Sequence, residues 1–170
     1  DAAGVVVCGA NDNQLFQQIA GDGSGGAVFT WEDKRIQSAI YAQKITASGT
    51  AAWDINGVAV DTTGGPQEQP QIAGDGSGGA FIAWQDRRGA NYDVYCRRVS
   101  SGGTGQWSST VIAASGAGDQ ANVQLINDGE GGIILAWEDG RNGQKDIYCQ
   151  KLNADGVPAW TANGLAVCRA

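Results

Sequence analysis

One block of about 53 residues occurs three times in this chain, and that repetition limits the fold more than any other feature. Gln18 to Arg35 reads QIAGDGSGGAVFTWEDKR, Gln71 to Arg88 reads QIAGDGSGGAFIAWQDRR, and Gln124 to Arg141 reads QLINDGEGGIILAWEDGR. A second block follows each, with AIYAQKI at 39–45, DVYCRRV at 93–99 and DIYCQKL at 146–152. A third closes each unit, where Trp53, Trp107 and Trp160 lead into short apolar runs ending near Val60, Ala114 and Val167.

Each unit reads as four short strands. Asp-Gly between apolar runs marks a tight connection, because both residues tolerate positive φ. The run after it (Ala27 to Trp31, Ala80 to Trp84, Ile133 to Trp137) is apolar without alternation, so it is expected to be covered on both faces. The 27 Gly residues suit many turns, and 42% hydrophobic content argues against disorder. Four strands with a doubly covered middle strand need a neighbour above and below. The fold expected is therefore all-β, with residues 1–170 forming a single repeat domain of β-propeller blades. Blade 1 is placed at about 15–61, blade 2 at about 69–115 and blade 3 at about 121–168, with an extra N-terminal strand at 4–10.

The pattern Gln-Ile…Asp-Gly-x-Gly-Gly…Trp-x-Asp-x-Arg…Tyr…Trp resembles the tryptophan-rich propeller repeats found in tandem in bacterial secreted and surface proteins, over nearly the whole chain. Asn153 to Trp160 is also similar to the Asp-box of sialidase-type propellers, whereas Thr46 to Trp53 and Ser100 to Trp107 keep the Trp and lose the Asp. The resemblance implies a propeller architecture without sialidase chemistry.

Val5, Val6, Val7 and Cys8 look like a fourth strand without a blade, since Cys8 aligns with Asp61. An unpaired apolar strand invites a partner. It is expected to be an assembly strand that joins another copy, giving a closed two-chain ring of six blades or an open filament, unless it belongs to a longer array. Hairpin geometry centred between Pro158 and Ala159 sets Cys149 opposite Cys168, within reach of a disulfide. Cys96 falls near Ala114 or Ser115 and has no obvious local partner, so its pairing and that of Cys8 stay open.

The triplets Trp31/Asp33/Arg35, Trp84/Asp86/Arg88 and Trp137/Asp139/Arg141 admit two roles. They could stack on and hydrogen-bond a glycan, or they could tie down a turn in every blade. The chain has no His, which removes imidazole as base or ligand. Single Asp residues in the Gly-rich turns are too few for calcium, and no C-x-x-C pair suggests zinc, so no metal or cofactor is expected. Glu32, Glu138, Asp93 and Asp146 form no recognisable acid pair for glycoside hydrolysis. A formal charge of −7 disfavours nucleic acid, and no run is long enough for membrane insertion. With no Met and Asp at position 1, the sequence reads as processed or excerpted, which fits secretion. The function expected is an extracellular, non-enzymatic structural or adhesive module that self-associates. The alternative is a lectin-like propeller.

Overall fold

In a computed structural model, which describes residues 4–107 and 109–168, the chain is all-β. Sheet 1 comprises β1 (Gln14–Gly21), β2 (Ala27–Asp33), β3 (Ala39–Ile45) and β4 (Val58–Asp61). Sheet 2 comprises β5 (Gln67–Gly74), β6 (Ala80–Asp86), β7 (Asp93–Val99) and β8 (Val111–Ala114). Sheet 3 comprises β9 (Gln120–Asn127), β10 (Ile133–Asp139), β11 (Asp146–Leu152) and β12 (Leu165–Cys168). Each is a four-stranded antiparallel meander in sequence order. The sheets stack in series without closing a ring, each resting its first strand on the sheet before it.

The first connection of each sheet is closed by its Asp. The Asp22 carboxylate accepts from the Ser24 amide at 2.8 Å and the Gly26 amide at 2.9 Å, and Asp75 and Asp128 repeat this with their own turns. The carboxylate thus supplies the acceptor that a five-residue loop lacks. Its second oxygen faces a base on the third strand: Lys44, Arg98 or Lys151.

The first strand carries a bulge at the same place in every sheet. Phe16, Gln69 and Asn122 have φ of 52°, 51° and 53°, and the ladder to the second strand shifts there by a residue. The bulge re-aims the strand start. Gln67 and Gln120, just before it, are buried against the preceding sheet. The Gln67 amide donates to Ser38 O at 3.2 Å, and its side-chain oxygen accepts from the Ile40 amide at 3.1 Å; the Gln120 amide donates to Tyr92 O at 2.7 Å.

Two faces of the second strand serve two neighbours. Val28 packs with Ala80, Ile82 and Trp84 of sheet 2, and Phe81 packs with Ile133, Leu135 and Trp137 of sheet 3. Counted along the strand, the second position therefore meets the following sheet and the first, third and fifth the preceding one, as a pleated strand requires. Two further tryptophans peg the sheets together. Trp53 lies over Gly103 and donates Nε1–H to Ser101 O at 2.9 Å, while Trp107 lies over Gly156 and donates to Ala154 O at 3.0 Å.

Two expectations need correction. Residues 4–10 form no strand: among the described residues the segment pairs with no sheet edge and is held by single contacts to Arg35 and Asn56. And the third hairpin is not regular. A bridge joins Leu152 to Pro158, but an added turn at Thr161–Gly164 takes up residues before β12 begins. As a result Cys149 faces Leu165 and Cys168 faces Ile147, so the two are not opposite, and all four cysteines are free thiols. In sheet 2 Cys96 faces Val111 rather than Ala114 or Ser115. Cys96 is fully buried, and burial pushes its thiol far above the ordinary range.

Candidate functional site

The three Trp-x-Asp-x-Arg triplets are nearly superimposable clips. Trp31 donates Nε1–H to Asp33 Oδ2 at 2.7 Å, and the Arg35 amide and Nε donate to Asp33 Oδ1 at 2.9 and 2.8 Å. Trp84/Asp86/Arg88 and Trp137/Asp139/Arg141 repeat the pattern. Strand alternation explains it: residues i and i+2 share a face, and the chain then turns, bringing Arg i+4 back over the carboxylate. Each guanidinium lies 4.0–4.1 Å above the ring of Tyr41, Tyr95 or Tyr148, and each Tyr stacks near its Trp at 6.4–6.5 Å.

This geometry leaves no stacking surface for a sugar. The three Trp and three Asp residues are buried, and the polar edges are spent on one another. Glycines press on two of the indoles: a Cβ at Gly57 would sit 2.6 Å from Trp31 and one at Gly164 2.5 Å from Trp137, and both glycines have positive φ. A cleft of about 230 Å³ is lined by Arg35, Ile36, Gln37, Ala39, Tyr41 and Thr62, and its arginine is already held by Asp33. The four acids considered for hydrolysis are scattered. Glu32 pairs with Lys34 and Glu138 with Lys145, while Asp93 and Asp146 sit at the starts of β7 and β11 in different sheets. Among the described residues no three potential metal ligands converge.

The carboxylates are tuned for structure. Hydrogen bonds from the Ser24 hydroxyl and amide, reinforced by Lys44, hold Asp22 far below the usual range; the Glu130 amide and Lys151 lower Asp128. Burial would raise Asp33, Asp61 and Asp139, yet hydrogen bonds from Arg35 and Trp31, from Thr63 and Arg88, and from Arg141 and Trp137 outweigh it. Asp93 goes the other way, raised by burial. An acid whose folded pKa is depressed contributes stability above its unfolded value near 4, and that stability is lost as pH falls through the folded value. With Glu138, also lowered by its hydrogen bond from Lys145, six such groups oppose one. The urea midpoint is expected to be flat between about pH 5 and 8 and to fall steadily below about pH 4. A midpoint unchanged down to about pH 2 would contradict these pairings.

The two ends of the stack differ from its middle. At the C-terminal end, positions buried in sheets 1 and 2 are open in sheet 3. Ile40 and Val94 are fully buried, whereas Ile147 is 39% exposed; Val60 is 1% exposed and Ala113 3%, whereas Val167 is 64% exposed. Cys149 and Ile134 are likewise half-open where Ala42, Cys96, Val28 and Phe81 are covered. Trp160 occupies the place of a third peg, and a cleft of about 250 Å³ runs between Ile126, Ile134 and Ala136.

At the N-terminal end, Val6, Val7 and Cys8 line an open cleft of about 320 Å³ with Gln14, Phe29 and Trp31. This segment lies where the fourth strand of a preceding sheet would. Arg88 donates from Nη2 to Asp61 Oδ2 at 3.0 Å, and Arg35 donates from the same atom to Cys8 Sγ at 3.4 Å. The Ser115 amide donates to Asn163 Oδ1 at 3.4 Å, and the Gly9 amide donates to Asn56 Oδ1 at 2.8 Å. Spacing read Val5 to Cys8 as a fourth strand; the segment takes that place beside Arg35 without forming one. That it docks on its own first sheet was not readable, because the anchoring Asn56 is a turn residue with no motif around it. By sequence the chain matches no protein-family model and no curated protein.

Proposed function

We propose that this chain is a non-enzymatic structural module, in an extracellular setting, that associates head to tail with other copies by continuing its own stack in the manner of propeller blades. One observation carries the reading. The face of sheet 3 repeats, residue for residue, the apolar surface that sheets 1 and 2 bury against a following sheet, and it is left open. Exposed Ile126, Ile147, Leu165 and Val167 form a patch of the kind that marks an interaction surface. Its natural complement is the reverse face of sheet 1, which presents Phe29 and Trp31 where sheets 2 and 3 present Ile82 and Trp84, and Leu135 and Trp137. Such an interface is heterologous, so copies add without limit or close a ring.

The test is sedimentation velocity on the intact chain beside Ile147→Asp, which sets a charge in the open face. The intact chain is expected to gain mass with concentration, and the variant to stay monomeric with an unchanged circular dichroism spectrum. An intact chain that remains monomeric up to roughly 0.1 mM would refute the reading.

A further inference from the structure

We propose that the copies join by strand exchange: the N-terminal segment of one copy replaces β12 as the fourth strand of sheet 3 in its neighbour. This rests on the head-to-tail reading above and specifies what passes between the chains. In the chain's own sheet-to-sheet contacts, the fourth strand of one sheet reaches the clip of the next, as Asp61 reaches Arg88. If sheet 3 of one copy stacks on sheet 1 of another in that way, β12 arrives at the clip of Arg35, a place that Cys8 already holds. Two strands claim one position, so one must leave.

The structure favours the departure of β12. All four of its residues are exposed, and three residue pairs on one edge, with an irregularity among them, are its whole ladder. The N-terminal segment is anchored to sheet 1 through Arg35 and Asn56, and it has no ladder to lose. The two segments are also matched in sequence. Val5-Val6-Val7-Cys8 and Leu165-Ala166-Val167-Cys168 are apolar and end in Cys, where β4 ends in Asp61 and β8 in Ala114. Three successive β-branched residues make the incoming strand the better fit to a pleated edge. A donated strand would find β11 as its ladder partner, while the clip of its own chain already holds its far side.

The same docking brings the third peg to a ready seat. Gly49 corresponds to Gly103 and Gly156, the glycines under Trp53 and Trp107, and its own φ is 78°. Only the Val5 methyl stands near its free side, at 3.5 Å from an added Cβ. Trp160 of the neighbour would lie on Gly49 and donate Nε1–H to Ala47 O, as Trp53 and Trp107 do to Ser101 O and Ala154 O.

The experiment compares the assembly rate, by light scattering, of the intact chain, a chain lacking residues 1–10, a chain lacking residues 165–170, and Leu165→Pro. The last removes the β12 amide that faces Cys149 of β11 without shortening the chain. Strand exchange requires that loss or weakening of β12 speed assembly at least about tenfold. A synthetic peptide of residues 1–13 should bind the chain lacking 165–170 one to one and block its growth. If instead loss of 1–10 speeds assembly and both β12 variants slow it, exchange is overturned while head-to-tail stacking stands. If no form assembles, both fall. Trp160→Ala should weaken assembly under either arrangement, so it reports on the docking and not on the exchange.

Discussion

Replacing Asp86 with Ala is expected to destabilise the protein by about 3–5 kcal/mol, the range for removing one partner of a buried ion pair. Asp86 is fully buried in the central sheet and accepts from the Trp84 indole at 3.2 Å and from the Arg88 amide and Nε at 2.9 and 3.0 Å. Alanine would leave a buried indole N–H without an acceptor and a guanidinium with Asp61 as its remaining anionic partner. Asp86→Asn keeps the shape and one acceptor and should fall between. Urea denaturation orders the three proteins. An Ala variant within about 1 kcal/mol of the parent would mean the clip is an ornament of the fold and would reopen a ligand role for it.

The second large effect is expected at Phe81. It is fully buried between sheets 2 and 3, against Trp107 with ring centroids 5.8 Å apart. Phe81→Ala should cost about 3–5 kcal/mol through lost burial and the cavity it leaves. Ile134 occupies the corresponding place in sheet 3, yet it is half-open because nothing stacks on it. Ile134→Ala in the monomer should cost at most about 1 kcal/mol, and the gap should widen when the variant is measured at assembling concentrations. Equal costs at both positions in dilute solution would show that sheet 3 is already covered.

The strands, their order and the turns between them were legible because three copies of one pattern reinforce each other: Asp-Gly marks each first connection, and the Trp/Asp/Arg spacing marks each second one. What escaped reading has local causes. The bulge falls on Phe16, Gln69 and Asn122, of which only Asn is an ordinary left-handed residue, so no common side chain announces it. The opposition of Cys149 and Cys168 failed because a turn at Thr161–Gly164 consumes residues that a regular hairpin would have paired. The clip role of Asp33, Asp86 and Asp139 was one of two readings that spacing allowed. Burial separates them, and burial belongs to the stack rather than to any one repeat.

The Asp-closed first turns bear on how such a chain reaches its native state. β1 and β5 share Gln-Ile-Ala-Gly, and β2 and β6 keep Ala, Trp and Asp at the same places and differ by Val/Phe, Phe/Ile, Thr/Ala and Glu/Gln, so β1 against β6, or β5 against β2, makes almost the same ladder. Nothing in the strand sequences alone selects the native pairing. The loops from Asp22 to Gly26, Asp75 to Gly79 and Asp128 to Gly132 do, each closed by a backbone bond of 3.1 Å. Hairpins of that length form in microseconds, long before strands of different repeats meet. Fidelity among near-identical repeats is thereby a matter of speed more than of depth. Lengthening one of these loops would leave the finished molecule little changed while letting chains refold into entangled, wrongly partnered forms.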